Sequence, residues 1–146
     1  MNLAPPERGS VIRYAYLWAD EHRRGREEAQ KDRPALVLAL SVRTSDDRTE
    51  VLVLAITHTP PTRQTEAVAL PPQVKRRLKL DDDASWIVTT EANAFIWPGP
   101  DIRPIPNRAH LGVVYGKIPE DLLQAVARSF LANRKRQQTK FVPRSG

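Results

Sequence analysis

Ala35-Leu36-Val37-Leu38-Ala39-Leu40-Ser41-Val42, Thr44-Ser45-Asp46-Asp47 and Glu50-Val51-Leu52-Val53-Leu54-Ala55-Ile56-Thr57 together form the stretch that decides the fold. Each apolar run suits a strand better than a helix. Strands buried on both faces read as short unbroken apolar runs, whereas helices are longer and periodic. Pro34 bounds the first run, and the short polar link between the two predicts an antiparallel hairpin.

Toward the N-terminus, Val11-Ile12-Arg13-Tyr14-Ala15-Tyr16 is rich in β-branched and aromatic residues and predicts a first strand. Asp20 to Asp32 is too polar for core and longer than the ~12 residues at which structureless loops become uncommon. Such a loop is either functional or mobile, with room for a helical turn around Arg26–Gln30. Toward the C-terminus, Thr59-Pro60-Pro61-Thr62 breaks the second strand of the hairpin. Ala67 to Leu70 predicts a short strand, and Gln73 to Leu78 a brief helix with proline at its start, Val74 and Leu78 sharing a face. Ser85 to Thr90 predicts a further strand. Phe95 to Pro106, carrying Pro98, Pro100, Pro104 and Pro106, reads as extended or turning chain rather than central sheet. Pro119 to about Arg136 is the clear helix: Leu122, Leu123, Val126, Phe130 and Leu131 mark one face. Glu120 and Asp121 open it and Arg134, Lys135 and Arg136 close it, as the helix dipole favours. The pattern predicts a mainly β, α+β domain, a small partly open barrel or strongly bent sheet with a C-terminal helix. One domain over residues 1–136 and a flexible basic tail over 137–146 are expected.

Composition narrows the function classes. The 146 residues are 40% hydrophobic and 27% charged, an ordinary globular balance. There are no cysteines and only three histidines, so a disulfide framework and a thiolate metal site are excluded and no metal or cofactor is expected. No apolar run reaches the ~20 residues that span a bilayer. The first nine residues lack the apolar segment of a signal peptide, so a cytoplasmic protein with no membrane association is expected. The net charge is +6, with Lys and Arg concentrated at 22–33, 75–79 and 134–144. That balance attracts polyanions through counterion release before any specific contact forms. A solvated basic surface is the plainer explanation of any one cluster; three of them in so short a chain favour nucleic acid.

The chain opens Gly9-Ser10-Val11-Ile12-Arg13-Tyr14, passes the polar loop, and continues Lys31-Asp32-Arg33-Pro34-Ala35-Leu36-Val37-Leu38. A second apolar strand then ends Leu54-Ala55-Ile56-Thr57. This order resembles the PemK/MazF growth-inhibitor toxins of type II toxin–antitoxin pairs, with a Gly at the first strand, an Arg-Pro before the second and a Thr closing the third. The likeness extends through Trp86 to Asn93, where Glu91 stands as the acidic residue after a strand, and more loosely to the C-terminal helix. The resemblance implies an SH3-like, PemK-type β-barrel and a homodimer with a cognate antitoxin as partner. It also implies metal-independent endoribonuclease activity on single-stranded RNA. Carried over residue by residue, the catalytic pair is Arg33 and Thr57. The loop departs from the family: Gly25-Arg26-Glu27-Glu28-Ala29-Gln30 has Arg26 where a Ser is expected, one inserted residue and no Gly pair. No serine role is transferred.

Metal-free RNA cleavage uses the neighbouring 2′-hydroxyl as nucleophile. The protein must accept its proton, stabilise charge on phosphorus and see the leaving 5′-oxygen protonated. Arg33 suits the middle task, because a guanidinium grips two phosphate oxygens; otherwise it is a surface Arg before a strand. Thr57 is a poor base and a good hydrogen-bond donor to phosphate, or else an ordinary strand Thr. His58 offers an imidazole that can exchange a proton, although strand alternation puts it on the face opposite Thr57 unless Thr59-Pro60-Pro61 turns the chain. His22, Glu27 and Glu28 are further acid–base candidates, with solvated loop residues as their plainer reading. Arg13, Arg26, Lys31 and Trp97 are the residues expected to meet RNA. Trp86 reads better as core, and Trp97, in the proline-rich segment, as a groove or dimer contact. Two other classes stay open: a non-enzymatic inhibitor on the same fold that binds a target such as gyrase, and a non-toxic nucleic-acid-binding module.

Overall fold

Residues 3–19, 32–108, 110, 112–136 and 140–143 are described by the structure, a computed structural model, without the side chains of 140 and 141. The strands are β1 (Ser10–Tyr14), β2 (Arg33–Val42), β3 (Thr49–Thr57), β4 (Ala67–Ala69), β5 (Trp86–Val88), β6 (Glu91–Ile96), β7 (Val114–Lys117) and β8 (Lys140–Pro143). Two α-helices interrupt them, the short α1 (Pro72–Arg77) and the long α2 (Glu120–Lys135).

The two apolar runs pair as the expected antiparallel hairpin, with Ala35 opposite Ala55 and Leu40 opposite Val51 and a register shift between Val37 and Ala39. Alternate residues serve two cores. Leu36, Leu38, Leu54 and Ile56 pack with Leu123, Val126 and Phe130 of α2 and with Val74 and Leu78. Ala35, Val37, Val53 and Ala55 pack on the other face with Tyr14, Tyr16, Trp18, Phe95 and Trp97. Burial on both faces is the reason neither run shows the polar alternation of a surface strand.

The hydrogen-bonded path runs β4-β5-β3-β2-β1-β7, and β6 joins β3 and β8. β3 therefore shares one edge between two partners: Glu50 to Val53 face β6, while Ile56 and Thr57 face β5. That division bends the sheet sharply. Pairing is antiparallel except for β6 with β8. Among the described residues, β4 and β7 end the path unpaired with each other, so the sheet does not close into a barrel. Gly9 immediately precedes β1 at φ +91, and a Cβ there would stand 3.2 Å from Leu123 Cδ2, so glycine serves both the backbone and the approach of α2.

Several expectations need correction. Glu91–Ile96 is a strand of its own, so Phe95 and Ile96 lie within the sheet before the proline-rich segment begins. Its Ala-Asn-Ala centre has weak strand propensity, and pairing with β3 overrides it. Lys140–Pro143 forms β8 beside β6, so the segment from residue 137 is not loose throughout. Leu131 is 60% exposed; the buried face of α2 is Leu123, Val126, Phe130 and Asn133. Asn133 earns its place because its amide donates to the carbonyls of Thr65 and Thr89 and to Thr89 Oγ1, which satisfies both of its buried amide hydrogens.

Candidate functional site: a cationic cleft at the end of the hairpin

Extending the register of Ala35 opposite Ala55 by two residues brings Arg33 opposite Thr57. Residues directly opposed in an antiparallel pair project to the same face. Arg33 pairs with Tyr14 of β1, and Thr57 with Trp86 of β5, so each is anchored to a neighbouring strand on the side away from the other. Both are nearly buried, 8% and 4% exposed, yet both line one cleft of ≈ 330 Å³. That is the low end for small-molecule pockets, room for a phosphate with its sugar and not for a duplex.

Five Lys and Arg side chains line this cleft, Arg13, Arg33, Lys75, Lys79 and Arg108, against two carboxylates, Asp32 and Asp81. The guanidinium carbon of Arg33 stands 5.2 Å from the centroid of the Trp18 ring, a cation–π contact that fixes its plane. Trp18 is itself fixed. Tyr16 meets it edge-on at 5.1 Å. Glu91 accepts the Ala19 N–H at 2.9 Å and the Tyr16 hydroxyl at 3.3 Å. Asn93 exchanges hydrogen bonds with the backbone of Leu17. Glu91, singled out by the resemblance, thus straps residues 16–19 onto β6 and supports the floor under Arg33.

Thr57 Oγ1 accepts the N–H of Thr59 at 3.1 Å, a local turn that folds the chain just past the strand. The lone pair used there leaves the hydroxyl hydrogen free to donate. Because β3 ends at Thr57, alternation no longer governs His58, and His58 lines the same cleft as Thr57. Its Nε2 lies 2.9 Å from Asp81 Oδ2. Arg13 Nη1 donates to the Tyr115 hydroxyl at 3.1 Å, and Arg108 lies over the Tyr115 ring while its Nη2 donates to the Lys79 carbonyl. These contacts order the cationic wall.

Partial burial works to raise the Asp81 carboxyl. The hydrogen bond from Lys75, the charges of His58 and Lys75 and the Asp83 N–H outweigh it and hold Asp81 below its ordinary value of 3.8. The stabilising contribution of a depressed carboxyl is complete above the unfolded value and fades as pH falls through the folded one. The stability gap between wild type and Asp81→Asn should therefore narrow as pH falls below about 4. Denaturant melts at a series of pH values check this; a gap that widens on acidification would reverse the sign.

His58, Asp81 and Asp83 bring one ligand atom each within 4.8 Å of one another, and all three residues are exposed. The ammonium of Lys75 already sits on Asp81 Oδ1, at 2.5 Å, and on the Asp83 carbonyl. A lysine supplies the positive charge there, and the group is not read as a metal centre.

The structure thus brings Arg33, Thr57, His58 and Arg13 together. Trp97 is placed elsewhere: it is 7% exposed, packs in the second core and donates its indole N–H to the Leu3 carbonyl, so it offers no face to a base. Trp86 is half-buried. His22, Arg26, Glu27, Glu28 and Lys31 lie outside the described residues. Lys75 and Lys79 belong to a basic cluster visible in the sequence, although nothing marked them as cleft residues. Asp81, Ser85, Arg108 and Tyr115 join the cleft with no local signal at all. Compared with known proteins, the chain matches no family model and no curated relative.

Proposed function

We propose that the chain is a metal-independent endoribonuclease of the PemK/MazF type, the toxin of a type II toxin–antitoxin pair, cleaving single-stranded RNA in this cleft. The observation that carries the reading is the placement of Arg33 and Thr57 side by side in a cleft lined by five cationic side chains. The resemblance names the same two residues.

The chemistry follows from what each group can do. A scissile phosphate entering the cleft meets the Arg33 guanidinium, whose paired N–H groups match two phosphate oxygens. Charge grows on those oxygens as the 2′-oxygen attacks phosphorus, so a cation fixed in advance on Trp18 stabilises the transition state more than the ground state. Thr57 adds one neutral hydrogen bond to the same phosphate. Arg13, Lys79 and Arg108 hold the flanking backbone, which favours a single strand able to bend into so small a space. The bond formed is O2′–P and the bond broken P–O5′, leaving a cyclic phosphate and a 5′-hydroxyl.

On this reading the bent sheet is an open form of the SH3-like barrel, and the protein works in the cytoplasm as a homodimer. Its antitoxin partner would offer an acidic segment to the same positive surface and compete with RNA there. Expression without an antitoxin in a bacterial host should arrest growth and produce new 5′-hydroxyl ends on messenger RNA, with both effects lost in Arg33→Ala. Arrest that leaves RNA intact and survives Arg33→Ala would mark a non-enzymatic inhibitor. Harmless accumulation to high level would mark a nucleic-acid-binding module.

A further inference from the structure

At the rim of the cleft, three ionisable side chains form a continuous chain from the interior to the surface. Lys75 is 4% exposed, an unusual position for an ammonium, and α1 carries it inward. Its Nζ donates to Asp81 Oδ1 at 2.5 Å, to Ser85 Oγ at 2.7 Å and to the Asp83 carbonyl. The second Asp81 oxygen lies 2.9 Å from His58 Nε2. His58 and Asp81 are each about half exposed, 55% and 52%. A free surface pair of that kind would signify little. Here the carboxylate is pinned from behind by a buried ammonium and the Asp83 N–H, so its orientation is fixed.

Fixing the carboxylate fixes the imidazole. An ionised carboxylate only accepts hydrogen bonds, and an ammonium only donates. The proton between Asp81 and His58 therefore sits on Nε2, and in the neutral ring Nδ1 carries the basic lone pair. We propose that His58 is the general base of the reaction, acting through Nδ1, and that Asp81 and Lys75 are positioning residues that hold it in this tautomer. The inference rests on the ribonuclease reading. In the step, Nδ1 takes the 2′-hydroxyl proton as O2′–P forms and P–O5′ breaks. The leaving oxygen takes a proton from water, and the resulting hydroxide removes the proton from the imidazolium, so no net charge is created. Asp81 stabilises the imidazolium while it exists.

A loop clamp made by Lys75 for structural reasons alone would need Asp83 and Ser85 but would be indifferent to the tautomer of His58. Asp81→Asn separates the two. Lys75 can only donate, so it claims the amide oxygen of the new side chain. The amide NH₂ is then turned toward His58 Nε2, which must accept, and the ring proton is forced onto Nδ1.

The experiment combines ring-nitrogen NMR of ¹⁵N-histidine-labelled protein with single-turnover RNA cleavage in EDTA. The His58 signals are identified by their loss in His58→Ala. The wild type should show Nε2 protonated and Nδ1 bare, and Asp81→Asn the reverse. Cleavage should fall by about 10²–10⁴-fold in both His58→Ala and Asp81→Asn, the usual worth of a general base. Binding of a single-stranded RNA with 2′-deoxy substitution at the cleavage site should not weaken in either variant. Added imidazole should restore part of the activity of His58→Ala and none of that of Asp81→Asn. A wild-type His58 with the proton on Nδ1, or averaging between tautomers, overturns the proposal whether or not the variants fold. Cleavage by the wild type that neither variant slows overturns it and leaves the ribonuclease reading standing. A wild type that cuts no RNA ends that reading and the base role together.

Discussion

Replacing Arg33 by alanine is expected to lower the single-turnover rate of RNA cleavage by about 10³-fold, the scale of removing one preorganised donor to a developing oxyanion. The fold should survive. Arg33 is the first residue of β2, and the hairpin's packing begins with Ala35 and Leu36 further in. Arg33→Lys keeps the charge and loses the planar fork and the stacking on Trp18, so it should recover little of the activity. Substrate affinity should change far less than rate, since four other cations still line the cleft. A lysine variant nearly as fast as wild type would mean that Arg33 supplies only electrostatic attraction. Rate, affinity and thermal melting measured on the same preparations separate these outcomes.

Trp18→Ala should have the largest effect on stability. Trp18 is 1% exposed and is one of the largest fully buried side chains. Its removal opens a cavity beside Tyr16 and takes away the surface on which Arg33 rests. The expected loss is about 3–5 kcal/mol, seen as a melting temperature lower by roughly 10 °C. Activity should fall further than the unfolded fraction explains, because a guanidinium without its stacking partner is free to leave the phosphate. Trp18→Phe retains an aromatic face and should keep more of both properties. Equal stability in Trp18→Ala and wild type would show that residues 16–19 are not fixed as the Glu91 and Asn93 contacts imply.

The hairpin was legible because burial on both faces leaves an unmistakable trace, two unbroken apolar runs joined by a polar link. The long helix was legible from its period and its charged ends, while Leu131 was misassigned because Asn133, a polar residue satisfied by Thr65 and Thr89, holds the buried position instead. β6 and β7 were missed. One has Ala and Asn at its centre and the other contains Gly116, and both depend on partners distant in sequence. Trp97 looked available to RNA because prolines surround it, yet its indole finds Leu3 across the chain.

The cleft divides in the same way. Arg33 and Thr57 were nominated by a resemblance, and the end of the hairpin brings both to one cleft. His58 stood as an acid–base candidate on condition that the chain turns after Thr57, and alternation does not govern it because the strand ends one residue earlier. Asp81 opens an Asp-Asp-Asp run with nothing in the sequence to single out one carboxylate, and the inward turn of Lys75 gives this one a role. Arg108 and Tyr115 reach the cleft from opposite sides of a segment with no local signature. Such groups are brought together by tertiary structure, and no periodicity in the chain announces them.

The most direct test of the proposed activity is incubation of the purified protein, in EDTA, with several unrelated long single-stranded RNAs, followed by mapping of the product ends. Cleavage at a few preferred sites, leaving 5′-hydroxyl ends and absent from a folded Arg33→Ala control, is the predicted result. Intact RNA in every case, or cleavage that Arg33→Ala leaves undiminished, would contradict it.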